Sequence, residues 1–473
     1  GLNLSTYKKI MVRLFTNLEK YRKRIALIGP DEKTYSYNEI LKQVEYLNSK
    51  IEKRSLILIL ASNNVQSIIG YISFIRSNNI SILLDKSFKI EYVKKIIKRY
   101  KPNYIFIPKD YNHIIKKNYT IIPFKDYNLV KTNFKKQKNI NKKNALLLST
   151  SGTTQNPKFV RLSNLNLLHN TKSIIKYLKI NSNHTTITTM PMGYSYGLSI
   201  INTHLTTGSK IIINNKSTIE RKFWDNVIKY KVTSFGGVPQ LYEQLKKIKF
   251  ENFNLNNLKY LTQAGGKLDE GYLKYFGYVC KKNKIKFFVM YGQTEASPRM
   301  SYLDWSKFYL NFGSVGKPLQ NSKFILLNNK GKRIKKPFII GELVYFGKNV
   351  SLGYARNIED LKKGDENKGI LYTGDLGFRD KDNYYYITGR INRILKIFGM
   401  RMDLDDIEKK LKKDNYKIKC INDNKYLKIL IDDNYNKEEI KKKIYDYFGI
   451  NKNYIFISKI EKYYNQKSFK ETI

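Results

Sequence analysis

Residues 55–85 read SLILILASNNVQSIIGYISFIRSNNISILLD. The runs SLILILA at 55–61 and ISILLD at 80–85 have the length of buried strands, and the segment between them has the length of a helix. A helix that connects two such strands makes them parallel neighbours, covered by helices on their faces. This stretch therefore predicts an α/β fold.

The same alternation continues through the first two thirds of the chain. Further strands are predicted at NYIFIP (103–108), ALLLST (145–150), SKIIINN (209–215) and KFFVMYG (286–292). Residues 34–50 predict an amphipathic helix that begins after a capping box of Ser36 and Glu39. We therefore expect parallel sheets flanked by helices.

The pattern changes after about residue 340. Closely spaced strand signals occur in GELVYFG, GILYTGDLGF and NYYYITGR. From residue 403 onward the order is a helix, two strands, a second helix and a strand. This order predicts a small α+β domain at the C-terminus.

The charge of the chain is strongly positive. The 473 residues carry a formal net charge of +49, from 88 Lys and Arg against 39 Asp and Glu. A concentrated basic face would indicate nucleic acid or an anionic membrane surface. The lysines are instead scattered among Asn, Ile and Tyr, which is typical of compositional drift, so we expect no nucleic-acid partner. The alternative is that the charge attracts anionic ligands.

The cysteines and the apolar runs bear on the location of the protein. Cys280 and Cys420 are far apart and match neither a disulfide framework nor a zinc-ligand spacing. No run approaches the ~18 apolar residues of a membrane span, and GLNLSTYKKIMVRLF shows no signal-peptide pattern. We therefore expect a cytoplasmic protein without a membrane span.

The stretch STSGTTQNPKFVRLSNLNLL, residues 149–168, follows a predicted strand and precedes a predicted helix. Its hydroxyls and backbone N–H groups could hold phosphate oxygens, with a lysine as counter-charge. The residues concerned in this loop, 149–158, are Thr150, Ser151, Gly152, Thr153, Thr154 and Lys158. An ordinary Ser/Thr-rich loop is the alternative. The Walker pattern is excluded, because Pro157 stands at the second glycine and Phe159 follows the lysine.

With YGQTEAS (291–297), AGGKL (264–268) and a cluster over 341–408, this loop resembles the adenylate-forming superfamily in motif order. That superfamily includes acyl-CoA synthetases, peptide-synthetase adenylation domains and aryl-acid ligases. The resemblance extends from residue 34 to Lys467, although Gln155 and Phe159 replace usual glycines. It implies a large N-terminal domain of layered sheets and helices over residues 1–391, a small mobile α+β lid domain of residues 393–473, and a hinge near Asn392.

The resemblance also implies roles for individual residues. Thr294 would contact the adenylate phosphate, Glu295 would bind Mg²⁺, and Lys467 would be the adenylation lysine, with Lys470 as the alternative. The remaining nucleotide-binding positions would be Gly265 and Gly266 beside the adenine, Tyr291 and Gly292, and Asp375 and Arg390 beside the ribose.

The function implied is AMP-forming activation of a small carboxylic acid by ATP and Mg²⁺. The acyl group would then pass to the thiol of CoA or of phosphopantetheine on an acidic acyl carrier protein. Relatives that activate amino acids usually carry an Asp for the α-ammonium group, and MPMGYSYGLS at 190–199 has no acidic residue. We therefore expect an acid without an α-amine. The pocket candidates are Tyr194, Ser195, Tyr196, Gly237, Val238 and Pro239.

Three alternatives remain open at this point. The chain could be an amino-acid-activating carrier-protein ligase, or a non-catalytic basic protein that binds nucleotides or polyanions. It could also be a degenerate member of the superfamily, which would account for Gln155, Phe159, Asn392 and Gln466. The tyrosines at 194 and 196 could equally be core residues in a chain with 38 tyrosines.

Overall fold

The computed structural model describes residues 13–149, 158–397, 400–423, 426–431 and 435–459. The chain divides into two compact units. The first contains Gly1–Phe324 and Tyr345–Leu371, and the second contains Ile325–Val344 and Tyr372–Ile473.

The helices and strands are numbered in chain order. The helices are α1 (Tyr37–Ser49), α2 (Val65–Arg76), α3 (Ile90–Tyr100), α4 (Asn164–Leu178), α5 (Ser195–Thr206), α6 (Arg221–Lys229), α7 (Pro239–Lys247), α8 (Glu270–Lys282), α9 (Leu404–Lys413) and α10 (Lys437–Phe448). The first strands are β1 (Ile25–Ile28), β2 (Thr34–Ser36), β3 (Leu56–Ala61), β4 (Ile80–Asp85), β5 (Tyr104–Pro108), β6 (Thr120–Phe124), β7 (Tyr127–Lys131), β8 (Asn144–Ser149), β9 (Phe159–Ser163), β10 (Thr185–Ile187), β11 (Lys210–Ile212), β12 (Ser234–Gly237), β13 (Tyr260–Gln263) and β14 (Lys286–Gly292). They are followed by β15 (Arg299–Leu303), β16 (Lys317–Pro318), β17 (Lys323–Leu327), β18 (Arg333–Ile334), β19 (Gly341–Phe346), β20 (Tyr354–Ala355), β21 (Ile370–Arg379), β22 (Tyr385–Arg390), β23 (Ile394–Ile397), β24 (Met400–Asp403), β25 (Ile418–Asp423), β26 (Tyr426–Ile431) and β27 (Ile455–Lys459).

Two large sheets form the first unit. One has eight strands in the order β20-β9-β8-β4-β3-β5-β7-β6, and the other has nine in the order β16-β15-β14-β13-β12-β10-β11-β1-β2. The central strands of each sheet pair in parallel, while β9 and β15 pair antiparallel with β8 and β14. Parallel pairs need long crossover connections, and the predicted helices supply them.

Both faces of strand β3 are buried, which explains its unbroken apolar run. Leu56, Leu58 and Leu60 pack with side chains of α3 in one cluster. Ile57 and Ile59 point the opposite way, into a cluster that includes side chains of α1, α2 and α5 and of the nine-stranded sheet. The successive side chains of a strand alternate between faces, so β3 contributes to two core layers.

The remaining strands form smaller sheets. A five-stranded sheet has the order β18-β17-β19-β21-β22, and most of its residues belong to the second unit. In the C-terminal part, β23 pairs with β24, and β25, β26 and β27 form a three-stranded sheet. Side chains of α9, α10 and this sheet share a buried cluster around Ile407 and Ile440.

The structure confirms the predicted mixed α/β fold with layered sheets and helices. Helix α1 begins after Ser36, and the predicted capping box with Glu39 is present. The domain boundary near Asn392 stays a prediction; Asn392 lies in the short 3₁₀ helix Ile391–Arg393. None of the helices in the described part of the chain has the length and apolar character that a membrane span needs.

Candidate active site

A tight turn connects β14 to β15 and contains the predicted Thr294 and Glu295. Strand β14 ends at Gly292, and residues Thr294–Ala296 form one turn of 3₁₀ helix. The backbone N–H of Gln293 donates to the carbonyl of Pro298 at 2.9 Å. A Cβ atom at Gly292 would lie 2.0 Å from the same carbonyl oxygen, so only glycine fits at the start of this turn.

Two buried asparagines hold the turn in place. Asn170 of α4 and Asn349 each donate from Nδ2 to the carbonyls of Ala296 and Arg299, at 2.6–3.3 Å. The hydroxyl of Tyr345 in turn donates to Oδ1 of Asn349 at 2.9 Å. Because buried carbonyls need partners, these bonds fix the backbone that presents Thr294 and Glu295.

The N-terminus of α5 lies against this turn. Ser195, the first residue of α5, has its Oγ 3.0 Å from Oγ1 of Thr294. Two motifs about 100 residues apart in the chain therefore meet at their hydroxyls. The first N–H groups of a helix carry partial positive charge, which makes this junction a favourable place for an anionic group.

Glu295 and Lys158 are linked through Tyr354. The hydroxyl of Tyr354 donates to Oε1 of Glu295 at 2.8 Å. The ammonium of Lys158 lies over the ring of the same tyrosine, with Nζ 3.4 Å from the ring centroid. This arrangement follows from the sheet, because Tyr354 of β20 pairs with Val160 of β9, two residues after Lys158. Burial, and then the nearby Glu295 carboxylate, raise the pKa of Tyr354, so its hydroxyl stays a donor.

The donors in this region suit Mg²⁺ bound together with phosphate. No group of three or more His, Cys, Asp and Glu side chains within the described ranges could hold a metal ion. Mg²⁺ typically uses one or two carboxylates and completes its octahedron with waters and substrate phosphates. Glu295, beside the hydroxyls of Ser195 and Thr294, fits this mode of binding.

The predicted adenine segment lies against the predicted pocket segment. The N–H of Ala264 donates to the carbonyl of Gly237 at 3.2 Å. Gly265 has a φ of +81°, and a Cβ atom there would lie 2.9 Å from a methyl carbon of Val238. A Cβ atom at Gly266 would lie 3.0 Å from Pro239. Both glycines therefore permit close packing of 264–266 on 237–239.

A small cavity lies between α4, α5, strand β10 and strands β12 to β15. Tyr196 lines it, together with Met290 and Arg299. The other pocket candidates, Tyr194, Ser195, Gly237, Val238 and Pro239, are not among its lining residues. Tyr194 is 42% exposed. The Tyr196 hydroxyl donates to the carbonyl of Thr262 at 2.9 Å, so the side chain is fixed.

In the second unit, the two predicted ribose residues bind each other. Asp375 of β21 lies directly opposite Arg390 of β22, and Nε of Arg390 is 2.7 Å from Oδ1 of Asp375. The Asp375 side chain is buried, while that of Arg390 is 56% exposed. The remaining predicted site residues lie outside the described residues; they are Thr150, Ser151, Gly152, Thr153, Thr154 and Lys467.

Sequence reasoning did not identify Tyr354, Asn349 or Arg299. Tyr354 is the last residue of the segment GELVYFGKNVSLGY (341–354), so its place in a motif was the available signal. Arg299 follows YGQTEAS, but a basic residue in so basic a chain carries no signal of burial. Only the fold shows that its side chain is enclosed.

Comparison with known proteins identifies the relatives of the chain. The family model of AMP-binding enzymes matches residues 14–355. An oxalate–CoA ligase of Arabidopsis thaliana is 28% identical over 269 residues, 56% of this chain and 51% of that protein. A 2-succinylbenzoate–CoA ligase of Oceanobacillus iheyensis is 28% identical over 262 residues, 55% of this chain and 52% of that protein. The chain thus spans about half the length of the curated relatives it matches.

Solved structures show the same fold. The o-succinylbenzoate CoA synthetase of Bacillus subtilis, in complex with ATP and magnesium ion, matches with a TM-score of 0.71 and 18% identity. The match covers 93% of this chain and 95% of that one. One solved chain from structural and functional studies of fatty acyl-adenylate ligases from E. coli and L. pneumophila matches with a TM-score of 0.74 and 16% identity, over 95% of this chain and 94% of that one.

Proposed function

The chain belongs to the AMP-binding enzyme family, and from that premise we propose that it is an acid–thiol ligase. It would activate a small carboxylic acid with ATP and Mg²⁺ and pass the acyl group to a thiol. The observation that carries this proposal is that several predicted site residues meet at the Thr294 turn. The Ser195 hydroxyl is 3.0 Å from that of Thr294. The next residue, Glu295, accepts a hydrogen bond from Tyr354, whose ring contacts Lys158.

In the first step, a carboxylate oxygen of the acid attacks the α-phosphorus of ATP. A new O–P bond forms, the bond between the α-phosphorus and the bridging oxygen breaks, and pyrophosphate leaves with its electron pair. Such a transfer needs positioning and charge neutralisation more than covalent help. Thr294 would orient the α-phosphate, and Lys158 and Lys467 would offset its charge.

Glu295 would hold Mg²⁺, which when bound neutralises charge on the phosphates. Tyr354 donates to Oε1 of Glu295 and so fixes the orientation of that carboxylate. Gly265 and Gly266 would allow the adenine to lie flat against the backbone. Asp375 and Arg390 are proposed to bind the ribose hydroxyls.

In the second step, a thiolate sulfur attacks the carbonyl carbon of the acyl-adenylate. The thioester C–S bond forms, the C–O bond to AMP breaks, and AMP leaves as the anion. Relatives named oxalate–CoA ligase and 2-succinylbenzoate–CoA ligase favour CoA as the thiol. A carrier-protein thiol is the second candidate, because bacitracin synthase 2 of Bacillus licheniformis is 26% identical over 85% of this chain.

Acid-dependent pyrophosphate release with hydroxylamine trapping tests the first step. We expect hydroxamate from a short acid without an α-amine, and loss of at least about 100-fold in rate in Glu295→Ala and Lys467→Ala. Lys470→Ala is the matched control for Lys467→Ala, and the reverse ranking would identify Lys470 as the adenylation lysine. Thioester formation is then compared between CoA and phosphopantetheinylated carrier protein.

Two outcomes would contradict the proposal. Hydroxamate formed only with α-amino acids would make the chain an amino-acid-activating ligase. ATP binding without pyrophosphate release, over a panel of acyl, hydroxy, aryl and amino acids, would support a non-catalytic nucleotide-binding protein instead.

A further inference from the structure

Arg299 is a buried cation without a carboxylate partner among the described residues. Its side chain is 2% exposed, and its Nε has no hydrogen-bond partner within the part of the chain that the structure describes. Its guanidinium lies 5.0 Å from the ring centroid of Tyr196. A cation–π contact offsets only part of the cost of burying a charge, which is usually met by a paired anion.

The position of Arg299 is close to the proposed reaction centre. Arg299 begins β15 and lies directly opposite Gly292, where the Thr294 turn starts. Its ring partner Tyr196 follows Ser195, whose hydroxyl touches that of Thr294. The cavity is therefore lined by the residue that follows Ser195 in the chain and by the residue that pairs with Gly292.

The other residues around the cavity supply no compensating negative charge. No Asp or Glu is among its lining residues. His204 is the one other ionisable basic group lining it, and burial lowers the pKa of His204 to about 4, so its ring is neutral at pH 7. Nearby Tyr196 and Tyr260 are phenols whose pKa values are raised by burial, so they too are neutral.

The cavity is also small. The volume open to the centre of a water molecule is about 20 Å³, which corresponds to roughly one or two water-sized groups. An aryl ring or a long acyl chain would require the cavity walls to move. A compact polar group would fit with little rearrangement.

We propose that Arg299 binds a second carboxylate of the substrate, so that the enzyme activates a short dicarboxylic acid. This inference rests on the proposed function of the same site. One carboxylate would lie at the Thr294 turn for adenylation, and the other would enter the cavity and pair with the guanidinium. The ion pair between guanidinium and carboxylate would give the buried charge of Arg299 a partner. An α-ammonium group in this cavity would be repelled by the same charge.

The test compares acids that differ only in the second charge. Hydroxamate formation is measured with malonate, succinate and glutarate and with their isosteric monoamides malonamate, succinamate and glutaramate, in which an uncharged amide replaces the second carboxylate. For wild type we expect kcat/KM to favour one dicarboxylate over its monoamide by about 100-fold or more, because the amide leaves Arg299 unpaired. Arg299→Met should abolish this preference. Arg299→Lys keeps the charge but lacks the planar guanidinium that can donate two parallel hydrogen bonds, so it should lose part of the preference.

Arg221→Gln is the matched control. It removes one positive charge from a side chain that is 94% exposed, and we expect its selectivity to stay within about two-fold of wild type, as for a surface charge. Folding of each variant is checked by its thermal transition and by ATP binding. If Arg299→Met fails to fold, the ratio of kcat/KM for dicarboxylate and monoamide is compared between wild type and Arg299→Lys, and an equal ratio in both would overturn the inference.

This inference would be overturned if wild type used dicarboxylates and monoamides with equal kcat/KM and if substitution of Arg299 did not change that ratio. The proposed function would then remain intact. If no acid supports pyrophosphate release, the proposed function fails, and calorimetric binding of malonate and succinate still tests the site. Binding lost in Arg299→Met and retained in Arg221→Gln would support the inference, and absence of binding to wild type would overturn it.

Discussion

At the residue scale, Tyr354 connects the two charged side chains of the candidate site. Its hydroxyl bonds to Glu295, and its ring carries the ammonium of Lys158. We predict that Tyr354→Phe raises the apparent KM for Mg²⁺ in pyrophosphate release by about 10-fold, as for other residues that orient a metal ligand. The phenyl ring keeps the contact with Lys158, so the substitution isolates the hydroxyl.

Tyr278→Phe provides the control for this prediction, because Tyr278 is 64% exposed and should leave the Mg²⁺ dependence unchanged. Tyr354→Leu removes the ring as well, and we expect a further rise in the KM for ATP from the loss of the Lys158 contact. An unchanged KM for Mg²⁺ in Tyr354→Phe would show that Glu295 needs no help from this hydroxyl.

His204 makes stability depend on pH. Burial lowers its pKa from 6.5 to about 4, so the folded state prefers the neutral ring. As pH falls below about 6.5, the unfolded chain takes up the proton first, and the free energy of unfolding decreases until about pH 4, by about 3 kcal/mol in all. We predict a flatter pH profile for His204→Gln.

Denaturant unfolding followed by tryptophan fluorescence measures this effect, since Trp224 and Trp305 both lie in the first unit with His204. His169 and His184 also have lowered pKa values and are present in both proteins. The difference between the two profiles over pH 4–6.5 therefore reports His204 together with its electrostatic interaction with His184. Parallel profiles would contradict the prediction.

The contrast between Arg161 and Arg299 shows where sequence reasoning ends at this scale. Arg161 is fully buried and donates to four backbone carbonyls and to Glu366. Arg299 is almost as deeply buried but has an unpartnered Nε among the described residues. Both stand in short strands followed by apolar residues. Their partners come from distant segments, so the sequence could not distinguish a structural arginine from one that awaits a ligand.

At the scale of elements, the pairing of β21 with β22 rests partly on Asp375 and Arg390. Removing Arg390 would take away the cation whose Nε lies 2.7 Å from the buried Asp375 carboxylate, whereas removing the charge of Asp375 leaves a guanidinium that water can reach. We predict that Arg390→Gln lowers the local free energy of opening by about 1–3 kcal/mol and that Asp375→Asn costs less. The double variant should recover part of the loss.

Hydrogen exchange of the amides of residues 370–390 measures this local stability. A global unfolding curve would not, because it combines the unfolding of both units in one signal. Asp382→Asn serves as the control, because Asp382 is exposed in the loop that connects the two strands. Equal protection in Arg390→Gln and wild type would show that the ion pair adds nothing to the strand pairing.

Some elements could be predicted from sequence and others could not. Strand β3 and helix α1 were predicted because an apolar run and a capping box are local signals. Strand β20 has two residues and exists because Tyr354 and Ala355 pair with β9, about 195 residues earlier in the chain. The order of the motifs indicated the Thr294 turn, but the contact between Ser195 and Thr294 depends on how α5 packs.

At the scale of the whole molecule, repulsion among basic side chains should weaken the fold. With 88 Lys and Arg and 39 Asp and Glu, at least 49 basic groups cannot have a carboxylate of their own. Salt screens such repulsion over about 10 Å at 0.1 M. We predict that raising NaCl from 20 to 300 mM increases the thermal midpoint, by about 1 °C for each kcal/mol of repulsion removed in a chain of this length. Sucrose at equal osmolality is the control for stabilisation by solutes that are excluded from the protein surface. A thermal midpoint that falls as NaCl rises would mean that the ion pairs screened by salt outweigh the repulsion.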